Sequence, residues 1–189
     1  MANAYVISIG DRRVLVDAGT EGSGRKIVDF FAKNGSKPDF VLITHYHTDH
    51  IGGLKRIYET FHPAVYAPGV EVPVLQGKEE MKLAPGFVPK LVATFSKPKA
   101  VEDVRDAADL SLEGLKVVET PGHTPGSISF LLERERLIFT GDAIATGGGK
   151  ASVNKMFTYD SAKAHESFDK VMGMKPITIL PGHGEPLAV

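Results

Sequence analysis

Three imidazoles and a carboxylate crowd into six residues, HYHTDH, which set His45, His47, Asp49 and His50 side by side. With seven His in the chain, that arrangement arises by chance roughly once in two thousand sequences of this composition, so coincidence is a poor explanation. The segment follows the apolar run FVLIT and precedes a helical pattern, the carboxyl-end position at which open α/β sheets build their sites. His45 and His47 are two apart, so on extended backbone they project to one side and can hold one cation. Asp49 and His50 come after the chain turns and can face a second. Three later segments extend the donor count. TPGHTPGS carries His123 in a turn stiffened by Pro121, Gly122, Pro125 and Gly126, TGD sets Asp142 at the end of LIFT, and LPGHGEP sets His183 just beyond TIL. All four pieces lie at the same end of their strands. Five His and two Asp offer imidazole nitrogen and carboxylate oxygen, a set that suits zinc first, with iron or manganese as alternatives, and matches calcium poorly.

Such a set has a definite chemistry. Two divalent cations about 3.5 to 4 Å apart share a water and lower its pKa from about 15.7 to about 7, which supplies a bridging hydroxide at neutral pH. No protein nucleophile is then needed. A carbonyl or phosphoryl oxygen on one ion is polarised, and the same charges stabilise the negative charge that develops. Asp49, being both a ligand and a carboxylate, is the candidate to orient the hydroxide and move its proton.

The elements that must position these residues alternate between short apolar runs and helical patterns, the signature of an α/β domain. Ala4 to Ile9 and Arg13 to Asp17 read as strands joined by the turn Gly10-Asp11. The loop DAGTEGSG leads to a helix from about Arg25 to Asn34. Asp39 to Thr44 is apolar on both parities, which predicts a strand in the middle of a sheet. A second helix begins near Asp49 and carries Ile51, Leu54, Ile57, Tyr58 and Phe61 at helical spacing. Ala64 to Tyr66 is a short strand. Residues 68–111 are the least legible stretch, with five of the twelve prolines. Within them Gly86 to Ser96 has an amphipathic helical pattern whose apolar face serves either as core packing or as a lid. Strands return at Leu115 to Glu119, Ser127 to Leu132 and Leu137 to Thr140. A helix from the capping residue Asp160 to Met172 then precedes a strand at Ile177 to Leu180.

With 189 residues the chain is expected to form a single domain, 1–189, in which 68–111 is a variable segment. The absence of Cys excludes a disulfide framework, a thiolate metal site and a cysteine nucleophile. The 22 basic and 23 acidic residues leave a net charge of -1, so no nucleic-acid partner is expected. No apolar run approaches a membrane span and the polar start lacks a signal-peptide pattern, so the expectation is a soluble, cytoplasmic protein with no membrane partner. GGGK at Gly147 to Lys150 fails the phosphate-loop spacing, because Ile144 stands where Gly is needed and Ala151 where Ser or Thr is needed. His62 and His165 lack ligand-spaced partners and read as surface or boundary residues. Lys150 and Lys155 read as part of a solvated loop.

From VDAG through HYHTDH, TPGHTPG and FTGD to PGHG, the chain resembles the metallo-β-lactamase-fold superfamily of metallohydrolases in the family's own motif order. The resemblance implies a four-layer αββα sandwich with the site at one edge. It implies that His45, His47 and His123 hold one metal, that Asp49, His50 and His183 hold the second, and that Asp142 bridges both. Asp17 matches the Asp that in the family orients the ligand loops from behind without binding metal. The Asp49-His50 pair and the lack of Cys set the chain apart from the β-lactamases with a Cys ligand, and resemble glyoxalase II-like thioesterases, lactonases and the remaining β-lactamases. The chain ends six residues after His183, leaving no counterpart to the helical domain by which glyoxalase II holds glutathione, so glutathione thioesters are not expected. Ala145 stands where quorum-signal lactonases carry Tyr. The expected activity is hydrolysis of a small ester, thioester or lactone, with β-lactam or phosphodiester hydrolysis as alternatives on the same site. A persulfide dioxygenase using one iron through His45, His123 and Asp142 is an alternative of another class, and a non-catalytic metal-stabilised module a third. Relatives usually begin with one more strand, so an unpaired sheet edge and a homodimer are also expected.

Overall fold

The structure, a computed structural model, describes residues 2–86, 98–154 and 157–189. Short strands and helices alternate through two compact units, each with its own five-stranded sheet.

The first unit holds the residues up to Met81 together with Pro98–Ser111. Strands β1 (Tyr5–Ile9) and β2 (Arg12–Val16) form the expected hairpin, with Ile9 opposite Arg12 across the turn Gly10-Asp11. Gly10 takes φ +55°, the left-handed value that two-residue hairpin turns demand. Helix α1 (Glu21–Lys33) starts earlier than Arg25, because the Thr20 hydroxyl accepts from the Ser23 N–H and caps the first turn. Strand β3 (Phe40–Leu42) lies parallel between β2 and β4 (Ala64–Ala67), the central position its two-sided apolar character predicts.

The helix expected from Asp49 to Phe61 is two pieces, α2 (Thr48–Ile51) and α3 (Leu54–Phe61), divided at Gly52-Gly53. Backbone packing explains the division. A Cβ on Gly53 would sit 2.4 Å from the Ala18 oxygen, and one on Gly24 of α1 would sit 2.6 Å from Gly53 Cα, so the two segments meet without intervening side chains. The core beneath them contains Leu15, Val41, Ile43, Ile57 and Val65.

The stretch 68–111 supplies more structure than its pattern predicts. A 3-10 turn (Gly69–Glu71), helix α4 (Val72–Leu75) and strand β5 (Val104–Asp106) follow, and β5 completes the sheet as the parallel neighbour of β4. The helix predicted over Gly86 to Ser96 lies, apart from Gly86, outside the described residues.

The second unit is built on Leu112–Val189. Strands β6 (Leu115–Glu119), β7 (Ile128–Leu132) and β8 (Leu137–Gly141) form an antiparallel meander close to the predicted bounds. Where a loop is expected after Asp142, the chain forms a hairpin of β9 (Ala145–Gly147) and β10 (Lys150–Ser152), with Gly148 and Gly149 at positive φ in its turn. The GGGK run is therefore a hairpin end. Helix α5 (Ser161–Met172) is capped by the Asp160 carboxylate, which accepts from the Lys163 N–H. Strand β11 (Thr178–Pro181) runs parallel to β8, and β12 (Leu187–Ala188) closes the sheet antiparallel to β11. Since β6, β8 and β11 point the same way, their carboxyl ends share one edge of this sheet. Among the described residues no helix is long and apolar enough to cross a membrane.

Candidate metal centre

In the first unit, β3 delivers the chain to Thr44 and His45, and α2 begins at Thr48. His45 and His50 are fully buried, while His47 and Asp49 are half-buried. The His45 ring centroid lies 4.8 Å from that of His47 and 4.2 Å from that of His50. One ring nitrogen of His45 and one of His47 fall within 4.8 Å of each other, as do a donor atom of Asp49 and one of His50.

Asp17 stands behind this cluster. It directly follows β2, in the left-handed region at φ 58°, a conformation that costs a non-glycine residue about 1 to 3 kcal/mol and persists only where the surroundings demand it. Its buried carboxylate accepts from the Thr44 N–H at 2.8 Å, from the Thr44 hydroxyl at 2.8 Å and from His50 Nδ1 at 2.7 Å. An ionised carboxylate only accepts, so His50 carries its proton on Nδ1 and presents a lone pair at Nε2. The same proton count reaches His45. The single Thr44 hydroxyl proton goes to Asp17, so at 3.0 Å its oxygen accepts from His45 Nδ1, and the lone pair of His45 also lies on Nε2. One buried carboxylate thus sets the tautomers of two imidazoles.

A second brace is Glu71, in the 3-10 turn and only 1% exposed. Its Oε2 accepts from the backbone N–H of Tyr46, between His45 and His47, at 2.8 Å. Burying a carboxylate is costly unless hydrogen bonds repay it, and this bond ties the turn to the donor segment. Neither Thr44 nor Glu71 stands out in the sequence. Thr44 had one weak signal, a hydroxyl residue directly before the first imidazole, whereas Glu71 had none.

In the second unit, His123 lies between β6 and β7, Asp142 follows β8 directly and His183 comes two residues after β11. Asp142 Oδ2 is 3.4 Å from His123 Nε2 and 3.5 Å from His183 Nε2. Both separations are long for a hydrogen bond. They match the edge of about 3.3 to 3.5 Å between two ligands of a tetrahedral ion with bonds of about 2.0 to 2.1 Å. Each separation is therefore that of two ligands on one ion.

The turn that presents His123 leaves little room for change. Gly122 takes φ +129°, and a Cβ on it would lie 2.2 Å from the Ala164 nitrogen in α5. The Asp160 N–H donates to the Gly122 oxygen, the Tyr159 N–H to the His123 oxygen, and the Ser167 hydroxyl to the Pro121 oxygen. The helix therefore seats the turn directly.

The donor chemistry fits divalent ions that accept nitrogen as well as oxygen, such as zinc, iron or manganese. His62 and His165 are exposed and belong to neither donor group, and His165 Nδ1 bonds the Ser161 oxygen of its own helix. Lys150 is exposed at the start of β10. Lys155 lies outside the described residues.

Comparison with known proteins agrees with this chemistry. The pattern of the Metallo-beta-lactamase superfamily matches residues 1–183. "Probable metallo-hydrolase YflN" of Bacillus subtilis (strain 168) is 31% identical over 99% of this chain and 82% of that protein. The Atrochrysone carboxyl ACP thioesterase of Aspergillus fumigatus is 27% identical over 96% of this chain, which spans 50% of that protein. The crystal structure of TTHA1623 in a di-iron-bound form superposes with a TM-score of 0.79 at 26% identity, over 100% of this chain and 90% of that one.

Proposed function

The chain belongs to the metallo-beta-lactamase superfamily and is a metal-dependent hydrolase; from that premise we propose that it cleaves a small, partly apolar ester, thioester or lactone with two divalent cations. In this reading His45, His47 and His123 would hold one ion, Asp49, His50 and His183 would hold the other, and Asp142 would be a ligand to both. The observation that carries it is Asp142 Oδ2 at ligand-edge spacing from both His123 and His183. A single-ion reading through His45, His123 and Asp142 gives His183 no role.

When bound, the two cations supply an acidified water as nucleophile and a Lewis acid for the acyl oxygen. The side chains do the rest. Asp49 orients the attacking water and takes its proton on a carboxylate oxygen, then returns it to the leaving group. Asp17 keeps the Nε2 lone pairs of His45 and His50 aimed at the ions, and Glu71 holds the backbone between His45 and His47 in place. A thioester is the favoured substrate class, and the likeness to a thioesterase at 27% identity supports it.

Metal analysis of the purified protein, followed by chelation and a panel of thioester, lactone, β-lactam and phosphodiester substrates, tests the reading. Two ions per chain are expected. Hydrolysis should disappear on chelation and return with zinc, iron or manganese. Full activity in metal-stripped protein would overturn the proposal, and one iron per chain with oxygen uptake would replace it with the dioxygenase.

A further inference from the structure

The three donors of the second unit are not equally secure. The His123 side chain is 1% exposed and that of Asp142 7%, but that of His183 is 36% exposed. Packing fixes the rotamer of a buried ring, whereas a ring open to solvent depends on its backbone for its position. Thr146 of β9 grips the backbone on both sides of Gly184, next to His183.

The Thr146 N–H donates to the His183 oxygen at 3.1 Å, and the Thr146 hydroxyl donates to the Glu185 oxygen. These two bonds straddle Gly184, which takes φ +106°. A Cβ on Gly184 would lie 2.0 Å from the Thr146 oxygen and 2.4 Å from its hydroxyl oxygen, so the Thr146 backbone fills the space a side chain would need. On the near side the Gly182 N–H donates at 2.7 Å to the Gly141 oxygen, next to Asp142. Residues 182 to 185 are thus tied to the strand end that carries Asp142 and to the hairpin that follows it. Thr146 pairs with Ala151 across that hairpin, so its position is set by the β9–β10 ladder and not by the His183 loop itself.

We infer that Thr146 is a positioning residue for His183, and that the hairpin Ala145–Ser152 sets the affinity of the second metal ion. The inference rests on the reading of His183 as a ligand of that ion. It separates the two ions energetically, since Thr146 makes neither bond to His123 nor to Asp142.

Zinc titration of the full-length protein, read as ions bound per chain against free zinc, tests it alongside a thermal melt that reports folding. T146V removes the hydroxyl and keeps the branched shape, so the second equivalent should bind about 10-fold or more weakly while the first is unchanged. T146S restores the hydroxyl and should restore wild-type binding. G184A pushes the loop from the other side and should cause the same selective loss, which decides the matter if T146V does not fold. Wild-type affinity for the second ion in T146V and G184A, or equal loss of both ions, overturns the inference. H183A separates this failure from a failure of the premise. If H183A binds two ions as tightly as wild type, His183 is not a ligand. If it binds one while T146V binds two normally, His183 is a ligand and Thr146 does not position it.

Discussion

The donors of the first unit and those of the second are held by different physics. In the first, four donors lie within six residues and are braced by buried carboxylates, with Asp17 on Thr44 and His50, and Glu71 on the Tyr46 N–H. In the second, three donors come from separate strand ends and are braced by backbone hydrogen bonds and glycines at which a Cβ would strike neighbouring backbone, Gly122 against Ala164 and Gly184 against Thr146. The difference follows from spacing. A short cluster can be oriented by one or two charges from behind, whereas separated turns must each be clamped where they stand. The first unit should therefore be sensitive to loss of charge at constant shape, and the second to added volume at constant charge.

Asp142, the proposed bridge, lies outside this contrast and carries the largest expected effect. D142A should reduce hydrolysis below detection and lower the metal content of the purified protein, because it removes the carboxylate that stands at ligand spacing from both His123 and His183. G122A tests the steric arm. It places a methyl group 2.2 Å from the Ala164 nitrogen at a left-handed φ, and should destabilise the protein by about 3 kcal/mol in chemical denaturation. D17N tests the electrostatic arm at constant shape. It withdraws the charge that receives His50 Nδ1 and the Thr44 hydroxyl, and should weaken metal binding about 10- to 100-fold in a chelator competition with little loss of fold. If D17N unfolds the protein while G122A is silent, the contrast is wrong.

The smallest effect is a control on surface charge. The hydrogen bond and positive charge of Lys99, 2.7 Å away, hold the Glu21 carboxyl below its ordinary range. A carboxyl whose folded pKa lies below its unfolded value adds stability above the unfolded pKa and loses it as pH falls through the folded one. Both groups are exposed and screened. K99M should therefore shift the melting temperature marginally at neutral pH and low salt, and not at all at low pH or in high salt.

Elements were legible in the sequence where a run of apolar residues is bounded by turn residues. Strand Leu115–Glu119 has the predicted limits, and β3 takes the central place its composition demands. Helix ends were less legible, since α1 begins where Thr20 caps it and the next helix divides where Gly53 meets Gly24. Strands β5, β9 and β10 are three residues each, too short for a period-two pattern, and they are strands because a partner pairs with them, β4 with β5 from 39 residues away and β9 with β10 across a tight turn.

The same division runs through the site. The candidate donors stood out in the sequence, because three imidazoles and a carboxylate fall within six residues and the others stand at strand ends, and their chemistry does not depend on what lies behind them. The braces are another matter. Glu71 is 25 residues from Tyr46, and Thr146 is 39 from Glu185. Nothing near Glu71 in the chain distinguishes it from the exposed Glu79 and Glu80. Residue type and local spacing determined which atoms are able to bind a metal. Only the folded backbone decided which ring nitrogen carries the proton and which neighbour holds each donor still, because a hydrogen bond is specified by position in space and the chain brings its two ends together only on folding.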